Sequence, residues 1–125
     1  MEKIFNILYS NLHNAGYKDK SIFKKFLFST KQHSILIFFI SSQKKRQSTL
    51  EEICYNVSAK VISRSTIQNI LKEGVSVKFL KKEINSEDKR SKYYTLTDEA
   101  KKFMLDWLYK QKKVFSNLNE LNNLK

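Results

Sequence analysis

Residues 63–72 read Ser-Arg-Ser-Thr-Ile-Gln-Asn-Ile-Leu-Lys. Wound as a helix, this stretch turns Ile67, Ile70, Leu71 and then Gly74 to one side and leaves Ser65, Thr66, Gln68, Asn69 and Lys72 on the other. Short hydroxyls, side-chain amides and a cation are the groups that read base edges and grip phosphate oxygens in a major groove. Ser63 or Ser65 has the chemistry to cap the helix by accepting a free backbone N–H, and Arg64 lies between them. The same residues equally describe the solvent face of an ordinary amphipathic helix. Spacing within this stretch does not separate the two readings.

Other chemistry finds little support. His13 and His33 are the only histidines, and neither has a Cys, Asp or Glu at metal-ligand or triad spacing. With Gly16 and Gly74 as the only glycines, no glycine-rich phosphate loop exists. The chain therefore reads as a non-enzyme with no cofactor and no metal. His33, on an apolar stretch, reads as a satisfied core or boundary residue. Cys54 shares a helical face with Leu50, Ile53 and Val57 and reads as a buried, inert thiol, because its sequence neighbours supply no cation-rich setting.

A lone cysteine makes no internal disulfide, which suits a reducing cytosol. Met1-Glu2-Lys3 opens no signal-peptide pattern, and the longest apolar run, Ile35 to Ile40, is far short of the roughly 20 residues that cross a membrane. The expectation is a cytoplasmic protein with no membrane contact. At 125 residues with 41% hydrophobic content, one domain with a real core fits, and disorder does not.

Charge points to a polyanion. The chain carries 24 Lys+Arg against 12 Asp+Glu, a formal net charge of +12, and each phosphate neutralised releases condensed counterions. A lysine-rich surface kept for solubility would give the same totals. Placement is uneven: residues 47–77 balance three basic side chains with three acidic ones, whereas residues 78–97 hold six against three.

The elements that would position these residues follow from periodicity. Ile4, Leu8 and Leu12, with Phe5 and Tyr9 beside them, predict an amphipathic helix over about 2–14, ended by Asn14-Ala15-Gly16. Residues 20–29 predict a short helix with Ile22, Phe23, Phe26 and Leu27 inward. Thr30 then caps a core helix through Ser42. Lys44-Lys45-Arg46 forms a solvated turn that either touches phosphate or is merely charged. Thr49 with Glu52, or Ser48 with Glu51, makes a capping box for the next helix. After the link Ser58–Ile62 comes the helix of residues 64–77. A strand over 77–84, a polar tip at 85–92 and a returning strand over 93–96 form a hairpin. Thr97-Asp98-Glu99 starts the last helix, with Ala100, Phe103, Met104, Trp107 and Leu108 along its apolar side. The fold class is mainly α with a small β-hairpin wing.

From Thr49 through Ala100 the sequence resembles the MarR-type (multiple-antibiotic-resistance regulator) winged-helix transcriptional regulators. Ser63-Arg64-Ser65-Thr66-Ile67 matches the phrase that opens their recognition helix. Asp88-Lys89-Arg90 followed by Leu96-Thr97 matches their wing. The flanking helices match by order alone. The resemblance implies a sequence-specific regulator of double-stranded DNA, a repressor acting as a homodimer on a pseudo-palindromic operator. Its DNA-binding core would span about 30–97, with the recognition helix at about 64–77, the wing at about 78–96, and dimerisation helices at about 2–14 and 98–121. The contacting set would be Ser63, Arg64, Ser65, Thr66, Gln68, Asn69 and Lys72, with Lys89, Arg90 and Lys92 from the wing. Arg90 would enter the adjacent minor groove, and Asp88 would steady the wing by pairing with a nearby base.

A small-molecule effector is common in the family, although no titratable cluster or pocket signature argues for one here. Apolar residues in the last segment (Trp107, Leu108, Val114, Phe115, Leu118, Leu121 and Leu124) give more apolar surface than a monomer obviously needs, although a monomer could also use them for its own core. The competing readings are a winged helix used for protein–protein contact and a nonspecific nucleic-acid binder, both kept open by the neutral 47–77 stretch. Three departures from the family pattern stand out. The link around Ala59 and Lys60 is long enough to distort the turn. Gly74 replaces a core leucine, and Lys78 stands where a glycine ends the recognition helix. Either the helix stops at Gly74, or it continues to Val77 with Gly74 allowing close packing; the spacing of Ile67, Ile70, Leu71, Gly74 and Val77 favours the second.

Overall fold

A computed structural model describes residues 1–17 and 21–116. Six helices and three strands follow in the order α1 (Glu2–Tyr17), α2 (Ile22–Leu27), α3 (Lys31–Ser42), β1 (Gln47–Thr49), α4 (Leu50–Asn56), α5 (Arg64–Ser76), β2 (Leu80–Ile84), β3 (Lys92–Leu96) and α6 (Asp98–Phe115). Among the described residues no helix is long and apolar enough to cross a membrane, and no three His, Cys, Asp or Glu side chains gather as metal ligands.

Most helices begin where a side-chain oxygen takes up an orphan N–H. Thr30 accepts from His33 N–H, Ser63 from Thr66 N–H and Thr97 from Ala100 N–H. At α4 the capping box is the Thr49–Glu52 one: Thr49 Oγ1 accepts from Glu52 N–H at 3.1 Å, and Glu52 Oε2 accepts from Thr49 N–H at 3.2 Å and from the Ser48 hydroxyl at 3.0 Å. Glu51, the alternative box residue, is left for other partners.

The core is one apolar cluster built on α3, whose Leu36, Ile37 and Ile40 have no exposed surface. Ile53 of α4, Ile67, Ile70 and Leu71 of α5, Leu80, Leu96, Ala100 and Met104 close around it. Beside it Phe79 packs its ring on Phe23, Phe26 and Phe103, with centroids 5.1, 5.2 and 6.1 Å away. The sheet runs β1-β3-β2, all antiparallel, with Leu80 opposite Leu96, Lys82 opposite Tyr94 and Ser48 opposite Tyr94 on the other side. The sequence reading missed β1. Three residues are too few for an alternation signal, and they hold their strand only by pairing with β3.

Several boundaries and faces differ from expectation. α1 runs through Gly16 to Tyr17 instead of ending at 14. On it Ile4 is buried, while Leu12, Phe5 and Tyr9 are exposed. Lys20 lies outside the described residues. α2 is only six residues long, too short to turn all four apolar residues inward, so Ile22 is exposed while Phe26 and Leu27 are buried. The 57–63 link is not slack. Ile62 is buried, its N–H and that of Val61 donate to Ser58 O, and Gln32 of α3 donates to Val61 O. Residues 117–125, which hold Leu118, Leu121, Leu124 and the end of the expected 98–121 helix, also lie outside the described residues.

The end of α5 resolves the Gly74 question. The helix passes through Gly74 and stops at Ser76 with Val77 as cap. Lys78 then takes the left-handed conformation (φ 64°). Its N–H donates to Val75 O and the N–H of Phe79 to Gly74 O, the paired bonds of a helix end normally built on glycine. This turn uses up residues 77–79, so β2 begins at Leu80 and not at 77. Gly74 lies under Leu80: a Cβ there would stand 2.7 Å from Leu80 Cδ1 and 3.0 Å from Phe26 Cζ. The absence of a side chain is what lets α5 and β2 lie so close.

Candidate nucleic-acid interface

α5 presents the polar face that its sequence spacing requires. Arg64, Ser65, Gln68, Asn69 and Lys72 are exposed and Thr66 is half-buried, while Ile67, Ile70, Leu71 and Gly74 are buried opposite. Of the two serines, Ser63 is the cap. Its hydroxyl donates to Thr66 Oγ1 at 2.9 Å and meets Ser65 Oγ at 3.2 Å, so three hydroxyls cluster around the open N-terminal turn.

Two contacts from neighbouring helices hold this helix in place. His33, 8% exposed, bridges α3 to α5. Its Nε2 lies 2.9 Å from Glu73 Oε2 and its Nδ1 lies 2.7 Å from Thr30 Oγ1. Glu73 accepts only, so Nε2 carries a proton, and both ring nitrogens are satisfied. Thr97, at the start of α6, donates its hydroxyl to Lys78 O at 2.8 Å and its N–H to Phe79 O at 3.1 Å. The Leu-Thr pair that ends the wing therefore clamps the end of α5 as well.

The wing is β2 and β3 with their connecting tip. Lys82 Nζ sits 5.6 Å over the Tyr94 ring, and Lys81 pairs with Glu83 at 3.0 Å. At the tip Asn85 N–H donates to Ser91 O, and Asp88 Oδ1 accepts from the backbone N–H of Arg90 at 3.0 Å. Asp88 thus steadies the wing through the backbone. Among the described residues no ion pair joins it to a base, contrary to what the resemblance implied. Lys89, Arg90 and Lys92 are all exposed.

Wing and helix meet around one side chain. A recess between α4 and the wing is lined by Leu50, Glu51, Asp88, Arg90, Ser91, Lys92 and Tyr94. Glu51 turns its other side to α5: Arg64 Nη2 donates to its Oε1 at 2.7 Å and Nη1 to its Oε2 at 3.4 Å. The Arg64 hydrogen bond and charge hold the Glu51 carboxyl below its usual range, and Glu51 in turn raises the Arg64 guanidinium. Glu51 therefore pairs with Arg64 of α5 and also lines the recess that Arg90 and Lys92 of the wing line. Lys72 stands two turns along α5, and Lys89 stands at the tip outside the recess lining. Sequence reasoning missed Glu51. The one available signal was that Thr49 and Glu52 complete the capping box without it.

Cys54 also departs from expectation. It is half-buried, not buried, and packs against the edge of the core.

No protein-family model matches this chain, and no curated protein is similar to it. Among solved structures, the crystal structure of the adhesin competence repressor AdcR from Streptococcus pyogenes aligns over 99% of this chain and 81% of its own, at 20% identity and a TM-score of 0.52. A crystal structure of overoxidized AbfR bound to DNA aligns over 99% and 96%, at 21% identity and a TM-score of 0.48. Element order, the α4–α5 pair and the three-stranded wing make this a winged helix-turn-helix fold, shared with AdcR.

Proposed function

We propose that this chain is a MarR-type transcriptional regulator that binds double-stranded DNA sequence-specifically as a homodimer and represses by occlusion. The observation that supports the reading is that Glu51, paired with Arg64 at the start of α5, also lines the recess bordered by Arg90 and Lys92 of the wing. A groove-entering helix and a minor-groove cation need to lie near each other to engage one duplex. In this reading Ser63, Arg64, Ser65, Thr66, Gln68, Asn69 and Lys72 meet bases and phosphates in the major groove. Lys89, Arg90 and Lys92 meet the neighbouring backbone and minor groove. AdcR, a repressor by name, shares the fold.

The dimer is supported by what α1 and α6 leave uncovered. Ile4 and Val114 are buried, yet Phe5, Tyr9 and Leu12 of α1 and Leu105, Leu108, Tyr109 and Phe115 of α6 are all about half exposed or more. A two-fold pairing of these helices covers that surface and sets half-sites about one helical turn apart. Sedimentation showing only monomer at micromolar concentration removes the dimer.

The decisive experiment is a salt titration of binding to random duplex and to genomic fragments recovered by selection. Tight binding to a subset of sequences, falling linearly on a log–log salt plot, is the expected result. Absence of binding identifies a protein-contact module instead. Equal binding to every sequence identifies a packaging protein.

A further inference from the structure

Two carboxylates line the recess beside Arg90 and Lys92; Asp88 is engaged by the backbone of its own turn, which leaves Glu51. Glu52 is consumed by the α4 capping box and Glu73 by His33, but Glu51 serves neither. It is well exposed (73% of its side chain) and both its oxygens face the fork of Arg64, itself 53% exposed. Arg90 and Lys92 line the same recess as Glu51. A duplex seated on α5 and the wing would bring its own phosphates to the place this carboxylate occupies.

We infer that Glu51 is a specificity-determining residue that competes with DNA phosphate for Arg64. The inference rests on the duplex-binding reading above. An Arg fork takes a carboxylate or a phosphate with the same two-donor geometry, so one guanidinium serves one of them fully at a time. An exposed ion pair is weak and screened, so a well-placed phosphate displaces Glu51. A phosphate held in an averaged, loosely docked position does not. Arg64 is thus withheld from nonspecific duplex and released when α5 is fully seated in a groove it fits. Discrimination is gained by a repulsive element set against the wrong partner.

The test measures binding by fluorescence anisotropy across a potassium chloride series, with a random-sequence duplex and with a duplex recovered by genomic selection. The proteins are wild type, Glu51→Gln, Arg64→Ala and the double variant, each checked for unchanged melting. Glu51→Gln should tighten random-duplex binding about three- to tenfold and steepen the log–log salt slope by about 0.9, the contribution of one more phosphate contact. The gain on the selected duplex should be smaller, so the ratio of specific to random affinity falls. In the Arg64→Ala background the same change should leave the slope where Arg64→Ala put it. An equal gain in that background shows a carboxylate that merely repels DNA and overturns the inference. Unchanged or weaker random binding by Glu51→Gln overturns it too. If wild type binds no duplex at any salt, the regulator reading itself has failed, whatever Glu51 does.

Discussion

The hydroxyl of Thr97 donates to the carbonyl oxygen of Lys78 at 2.8 Å while accepting the N–H of Ala100 at 3.2 Å. One side chain thereby caps α6 and fixes the turn that ends α5. The end of α5, the base of the wing and the start of α6 are tied at a single point. Gly74, Leu80 and Phe79 pack directly beneath it, which makes the surroundings of that turn the most informative place to perturb the fold.

Replacing Gly74 by Ala tests the close approach of α5 to the wing. In an open helix this change stabilises by about 1 kcal/mol. Here the new Cβ meets Leu80 Cδ1 at 2.7 Å and Phe26 Cζ at 3.0 Å, and both side chains are buried. Overpacking of that kind costs roughly 1–3 kcal/mol, so the net effect should be a loss of about 1 kcal/mol. Urea unfolding of the purified variant gives the answer, and a raised midpoint contradicts the packing described.

Lys78→Gly should act in the opposite direction. Its φ of 64° places a Cβ in the left-handed region, at a cost of about 1–2 kcal/mol that glycine avoids. Glycine loses more entropy on folding, about 0.5–1 kcal/mol, so a gain of roughly 0.5–1 kcal/mol remains. The unfolding midpoint should rise with the m-value unchanged. A fall would mean that the Lys78 side chain contributes more than its backbone conformation costs.

Arg90→Ala should weaken binding to random and selected duplexes alike and flatten the salt slope by about 0.9, as expected for loss of one backbone contact. Substitution at Gln68 or Asn69 should instead change which sequences are recovered, at about 1–3 kcal/mol of discrimination for each lost base contact. Unaltered affinity of Arg90→Ala at moderate salt would remove the wing from the interface.

The Glu51–Arg64 pair predicts a small acid sensitivity. Arg64 lowers the Glu51 carboxyl from its ordinary 4.5, to which it returns in the unfolded chain. The pair's contribution to stability is therefore complete above about pH 4.5 and is lost as pH falls through the lower folded value. Both groups are solvent-exposed, so the effect is small and salt weakens it. NMR titration of the Glu51 side-chain carbon should show its midpoint move upward in Arg64→Ala. A midpoint that stays put would show that the pair does not form in solution.

What could be read from the chain beforehand was local. Thr30, Thr49, Ser63 and Thr97 announce helix starts because a cap involves residues only three apart, and the inward face of α5 follows from a period of 3.6. Family phrases at Ser63–Ile67 and Asp88–Arg90 pointed to the winged helix before any coordinates. The features that escaped depend on contacts distant in sequence. Glu51 reaches Arg64 across 13 residues and His33 reaches Glu73 across 40. β1 exists only because Tyr93, Tyr94 and Thr95 lie beside it. Ile22 and Leu12 carry apolar side chains on faces that this chain alone leaves exposed, a fact about neighbouring elements that hydrophobic spacing does not contain.

The strand order β1-β3-β2 leaves β2 on the outside of the sheet, its far row of amide and carbonyl groups open to any other extended chain. Lys81, Lys82 and Glu83 are exposed along it, and β1, the opposite margin, is only three residues long. Charge on one rim and brevity on the other discourage a second copy from adding strand to strand. Self-association through the hairpins is thereby disfavoured. The protein can then be concentrated without its wings knitting into fibrous assemblies.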